Sequence, residues 1–263
     1  MKANKIYGIL IASLLIVSPW RLALGSTEGA HLDKVNNELC NKASLQRGAN
    51  LYVNYCGGCH SLQYVRYKEL AKDIGIVDKK GNVLEKLVQA NLNFTSDKIN
   101  DPILVATPKK EAQEWFGVAP PDLSLVARSR GKDWLYTYLR SFYEDPKKPW
   151  GVNNVVFPDV GMPNILQGLQ GTQTAVFKTI TLMDDKGQPF EQKVIERLEL
   201  TKPGSMNEKE FNQAVTDLVN FLEYVGEPHK LQRERLGGWV LLFLVVFTLF
   251  AYLLKREYWK DIH

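Results

Sequence analysis

The chain has 263 residues, room for one or two domains of ordinary size, of which 45% are hydrophobic and 24% charged. Its formal net charge is +4, yet residues 26–229 hold 24 Lys+Arg against 26 Asp+Glu, so the positive excess lies at the two ends. The body therefore has no basic footprint for nucleic acid, its mild acidity favours a basic soluble partner, and three cysteines are too few for a disulfide framework.

The first element falls outside any fold. Lys2 and Lys5 precede an apolar run from Ile6 to Trp20, and Ala23-Leu24-Gly25 has the small-x-small form of a cleavage site. Residues 1–25 are expected to be a secretory signal peptide, a retained membrane anchor being the alternative. After an irregular lead-in carrying Cys40, which reads as an inert thiol, a helix is expected over Ser44–Tyr55 with Ser44 as its N-cap. Leu45, Gly48, Ala49, Tyr52, Tyr55 and Cys56 recur at three- and four-residue steps, and the small pair Gly48 and Ala49 would let a second helix come close.

That helix ends in Tyr55-Cys56-Gly57-Gly58-Cys59-His60, the C-x-x-C-H signature of covalent c-type haem attachment. Each thiol adds across one porphyrin vinyl group, and the adjacent imidazole becomes the proximal ligand of the iron. Gly57 and Gly58 put no side chain against the macrocycle edge. A zinc site would need about four N or S ligands, and Cys40 is the only other cysteine. A thioredoxin-like pair would need a strand–helix context that the flanks do not supply.

Ser61–Ala71 continues in helical style, with turn signals over Ile74–Gly81. Residues 82–119 are less regular, with a helix expected over Val83–Leu92 and a helical turn over Glu111–Phe116. Pro120 and Pro121 fix an extended segment without backbone donors, a suitable wall for a flat apolar cofactor. Asp122 can cap a short helix to Ser129, and Asp133 another whose stripe is Trp134, Leu135, Tyr138, Leu139 and Phe142. Arg128 and Arg130 lie between them; a guanidinium beside a haem would pair with a propionate, although a solvent-facing arginine is the plainer reading of either alone.

A haem dedicated to electron transfer needs a sixth ligand, and a thioether raises its potential relative to a second histidine. Met162, in Val160-Gly161-Met162-Pro163-Asn164, sits in a stiff loop far from Cys59. From the residues alone it competes with an ordinary packing role and with His31 and His229 as exported rivals. A β-hairpin is expected from Val176–Leu182 and Val194–Leu200 around Asp184-Asp185-Lys186-Gly187. Ser205-Met206-Asn207-Glu208 has the form of a capping box, opening a helix that ends near Gly226. Leu236–Leu254 is then uncharged for 19 positions, enough at about 1.5 Å per residue to span a hydrocarbon core of about 30 Å. Three basic residues flank each side, so loop charge leaves orientation undecided. The signal peptide puts residues 26–229 outside and the tail 255–263 in the cytoplasm.

Together, Ser44–His60, Ala119–Arg130, Val160–Asn164, Asp217–Pro228 and the anchor ending in Lys255–His263 resemble the cytochrome c1 family, the haem subunits of bacterial quinol–cytochrome c oxidoreductase (bc1) complexes. The resemblance implies a mainly α, cytochrome c-type haem domain with a small β-hairpin insertion and one C-terminal transmembrane helix. It implies one haem c, bonded to Cys56 and Cys59, with His60 and Met162 on the iron, Pro120 packed at the haem and Arg130 on a propionate. The segment after Arg130 is shorter than the usual family version and lacks a histidine there. The implied role is electron relay from a Rieske iron–sulfur protein to a cytochrome c, with cytochrome b beneath, in a dimeric complex of the bacterial inner membrane. Such a chain is an electron carrier and no enzyme on its own. A membrane-anchored haem peroxidase or gas sensor would need an open sixth site, and a thiol oxidoreductase would keep Cys56 and Cys59 free; neither accounts for the segments around Pro120 and Met162.

Overall fold

The computed structural model describes residues 31–183 and 188–260; the expected signal peptide and hairpin turn lie outside them. The described residues are mainly helical, with three small two-stranded antiparallel sheets among them. Their centre is a crossing of the first described helix, α1 (Lys42–Leu51), and the last helix before the apolar C-terminal one, α8 (Glu208–Gly226). Gly48 sets their separation. A Cβ there would stand 2.1 Å from the Asp217 carbonyl oxygen and 2.6 Å from Phe221 Cβ, so only glycine fits. The small residues expected on this face thus permit the close approach.

Polar groups seal the crossing. Asn41, not Ser44, caps α1, its Oδ1 accepting from Ser44 N at 3.1 Å. Ser44 is buried one turn in, and its Oγ donates to Asp217 Oδ1 at 2.6 Å. Arg47 Nε donates to the other carboxylate oxygen at 2.6 Å, and Asn220 Nδ2 donates to Ser44 Oγ at 3.0 Å. A buried carboxylate is tolerated only when its lone pairs are filled in this way. The capping box of α8 also lies two residues later than expected, pairing Asn207 with Glu210.

The stretch after His60 departs most from expectation. It is a strand, β1 (Leu62–Arg66), paired with β2 (Pro102–Ile103), before α2 (Tyr67–Ile74) begins. Tertiary partners override the helical pattern: Leu123 N donates to Ser61 O at 2.9 Å, and Gln63 N to Asp122 Oδ2 at 2.9 Å. Next come α3 (Glu85–Asn91) and α4 (Lys109–Phe116), close to where helices were expected. Neither aspartate caps its helix. Asp122 bridges Gln63 N and Ser124 N ahead of α5 (Val126–Arg130). Asp133 lies inside the first turn of α6 (Lys132–Arg140) and accepts from Val35 N at 3.0 Å and Lys34 Nζ at 2.8 Å, fastening the lead-in.

Phe142 leaves the α6 stripe for β3 (Phe142–Glu144), which pairs with β4 (Val152–Asn154). After a short α7 (Gln167–Gln170), the hairpin of β5 (Gly171–Met183) and β6 (Pro189–Pro203) is longer than expected and largely exposed beyond its base. Met206 immediately precedes the Asn207 cap of α8. Finally α9 (Lys230–Tyr258) is, among the described residues, the one helix long and apolar enough to cross a membrane, and its apolar window buries nothing against the domain. Lys230 Nζ on Glu223 Oε1 at 2.8 Å ties its start to α8.

Candidate haem site

His60 is positioned mostly by backbone. After Leu51 the helix widens into a π-turn, Tyr52–Cys56, closed by Gly57 N donating to Tyr52 O at 2.7 Å. Such widened turns recur at functional sites. Cys59 N and His60 N then both donate to Cys56 O, at 3.0 and 2.9 Å. One carbonyl therefore sets both thiol-bearing residues and the imidazole. Tyr52, 2% exposed, donates its hydroxyl to His60 O at 2.5 Å and packs its ring against Phe221, which joins the turn to the helix crossing.

The imidazole is 9% exposed, and its Nδ1 lies 2.7 Å from Pro121 O. A carbonyl only accepts, so Nδ1 carries the hydrogen and Nε2 is left as a bare donor atom. Burial lowers the His60 pKa, against the Pro121 hydrogen bond and the Asp122 charge, and the neutral form is the one that ligates metal. Burial also raises the Cys56 thiol, to about 12, with the nearby Cys59 adding to the effect. Cys59 is exposed. Pro120 and Cys59 line one cavity of about 110 Å³ with Leu104, Trp115 and Phe116.

Met162 is positioned mostly by side chains. It packs with Tyr138 against Phe142, Val152 and Val160, and Tyr138 Oη donates to its Sδ at 3.6 Å. The loop carrying it is shaped by two buried asparagines. Asn154 Oδ1 accepts from Val156 N and Phe157 N at 3.0 and 3.2 Å, while its Nδ2 donates to Tyr138 O at 2.8 Å. Asn153 Oδ1 accepts from Asp159 N at 2.9 Å, and Asp159, at φ 61°, is further held by an ion pair with Lys148. Gly161 lets this loop meet the proline segment, since a Cβ there would come within 2.9 Å of Val118 Cγ1.

Arg130 is exposed and makes no ion pair among the described residues; its guanidinium carbon lies 5.2 Å from the Trp134 ring centre and 5.8 Å from that of Phe157. Trp134 is 8% exposed, and its Nε1 is buried with no hydrogen-bond partner among the described residues. A buried orphan donor beside a free guanidinium suits an anionic group such as a propionate. With two thiols, a bare imidazole nitrogen and a thioether, the donor set fits a haem. Reading the sequence alone missed the Pro121 carbonyl, Tyr52, Asn153, Asn154, Tyr138 and the Trp134 donor. Only the prolines and the paired asparagines left a visible signal there, as turn chemistry.

A mainly helical domain that ends its first helix in C-x-x-C-H and its last in a single apolar helix defines a membrane-anchored c-type cytochrome. The Cytochrome C1 family matches residues 34–174 and 199–262. A cytochrome c1 of Allochromatium vinosum is 48% identical over 97% of the chain and 99% of its own length. A Nitrosomonas europaea protein named ammonia monooxygenase gamma subunit is 42% identical over 97% of each. A cytochrome b/c1 of Bradyrhizobium diazoefficiens is 26% identical over 84% of the chain and 34% of its own length. The chain belongs to the cytochrome c1 family. It is a haem electron-transfer subunit of the cytochrome bc1 complex, which includes cytochrome b, and it carries one covalently attached haem c.

Proposed function

We propose that the chain takes one electron at a time from a Rieske iron–sulfur protein and passes it to a cytochrome c, on the exported side of a bacterial inner membrane. Haem, once bound, supplies the one-electron couple. Cys56 and Cys59 would bond it covalently, His60 Nε2 and Met162 Sδ would ligate its iron, Pro120 would pack beside it, and Arg130 with Trp134 Nε1 would meet a propionate. One electron enters and one leaves, with no proton or atom exchanged, so the protein's work is to hold two ligands and tune them. The observation that carries this reading is the hydrogen bond from His60 Nδ1 to Pro121 O, which leaves Nε2 free to ligate in a turn that also presents both thiols.

In this reading residues 1–25 are a signal peptide, 26–229 the periplasmic haem domain, 236–254 the membrane span and 255–263 a cytoplasmic tail, within a dimeric quinol–cytochrome c reductase. The test is purification through this chain in mild detergent. Co-elution of a b-type cytochrome and an iron–sulfur protein, with rapid haem reduction on adding quinol, is expected. A haem-bearing chain that elutes without an iron–sulfur protein would contradict it.

A further inference from the structure

We propose that Tyr138 is a positioning residue for Met162: its hydroxyl selects the sulfur lone pair left for iron and raises the reduction potential of the site. This rests on the axial role given to Met162 above. A thioether sulfur has two lone pairs, and Tyr138 Oη donates to one of them at 3.6 Å, a distance suited to a sulfur acceptor. The ring has little freedom to turn away. Trp134 stacks on it at 4.9 Å with planes 10° apart, while Phe142 and Phe157 meet it edge-on at 5.2 and 6.4 Å.

The loop bearing the sulfur is tied to the same residue, since Asn154 Nδ2 donates to Tyr138 O at 2.8 Å. Donor and acceptor are thus held in one unit, and only the second lone pair faces away from the phenol. A hydrogen bond draws electron density from sulfur. The poorer donor stabilises ferric iron less than ferrous iron, which favours reduction. A net neutral hydrogen bond is weak, so its loss should lower the reduction equilibrium constant about threefold to tenfold, tenfold being about 59 mV for a one-electron couple.

The experiment is a redox titration of the full-length holoprotein in detergent, with the far-red sulfur-to-iron charge-transfer band followed in the same samples. Tyr138→Phe keeps the stacked ring and removes the donor; its potential should fall while the band persists at a shifted position. Tyr136→Phe, on the same helix but packed under Arg140, should leave both unchanged. An unchanged potential in Tyr138→Phe, or an equal fall in both variants, overturns the proposal. If the unmutated protein lacks the band, the axial assignment of Met162 is what fails. If Tyr138→Phe does not retain haem, proton NMR of the unmutated ferrous protein decides: an exchange-protected Tyr138 hydroxyl proton close to the Met162 methyl supports the proposal, and its absence overturns it.

Discussion

His60 and Met162, the proposed ligands on opposite faces of the haem, are held by different kinds of bond. His60 sits where three backbone hydrogen bonds fall between Tyr52 and His60: Gly57 N on Tyr52 O, and the N–H groups of Cys59 and His60 on Cys56 O. Its ring leans on another backbone atom, the Pro121 carbonyl. Met162 depends on amide and phenol side chains, Asn153, Asn154 and Tyr138, in a loop between β4 and α7. A side built of backbone bonds tolerates many side-chain changes and fails when the backbone is displaced. A side built of side-chain bonds can be adjusted one residue at a time, which suits the ligand whose chemistry sets the potential.

The strongest way to break this comparison is through the backbone on the His60 side. Gly48→Ala would force α1 off α8, and overpacking against a main-chain oxygen should cost about 3 kcal/mol or more. Thermal and urea unfolding would measure it, and a wild-type midpoint would refute the crossing as described. On the other side, Asn154→Ala unpairs two backbone donors, Val156 N and Phe157 N, and leaves the Tyr138 carbonyl with Ser141 N as its remaining donor, for about 1–3 kcal/mol. It should weaken the sulfur-to-iron band while leaving haem covalently attached. Loss of attachment instead would show that the two sides are not independent.

A smaller effect is expected from acid. Burial would raise the Asp133 carboxyl, but the bonds from Lys34 and Val35 N–H outweigh it and hold the pKa below the ordinary carboxylate value. A carboxylate with a depressed folded pKa adds stability above the unfolded value of about 3.9, and that contribution is lost as pH falls through the folded value. Asp133→Asn should therefore flatten the loss of stability below about pH 4, in melts recorded across that window. Parallel acid limbs would refute the assignment. The least effect belongs to the hairpin, whose residues 175–198 fall between the two matched family segments. Its base stays fastened by Gln173 Nε2 on Arg140 O and Phe142 O, both at 2.9 Å. Replacing 175–198 by a short turn should change stability by about 1 kcal/mol or less, since closure entropy varies slowly with length, and should leave the haem spectrum unaltered.

The same contrast explains what the sequence made legible. The cysteine spacing, the small residues at Gly48 and Ala49, the stripe of α8 and the apolar run of α9 are periodic or spaced signals, and each has its expected place in the fold. The parts that were not legible depend on partners distant in the chain. Ser44 looks like a cap, but Asp217, far along the chain, takes its hydroxyl. Leu62–Arg66 reads as helix until the proline segment supplies bonds to its extended backbone. Pro121 acts through a carbonyl oxygen that every residue possesses, so no residue type announces it. Tyr138 reads as a core residue of its helix, and only the fold brings its hydroxyl to a sulfur.

In the proposed site, imidazole nitrogen and thioether sulfur together set the electron affinity of one bound haem. The most direct measurement is a potentiometric titration of Met162→Lys beside the unmutated chain. Axial ligands span about 0.8 V of haem potential, and exchanging a thioether for an amine should lower the midpoint by on the order of 0.1 V or more. An unchanged midpoint in the haem-loaded variant would contradict the account.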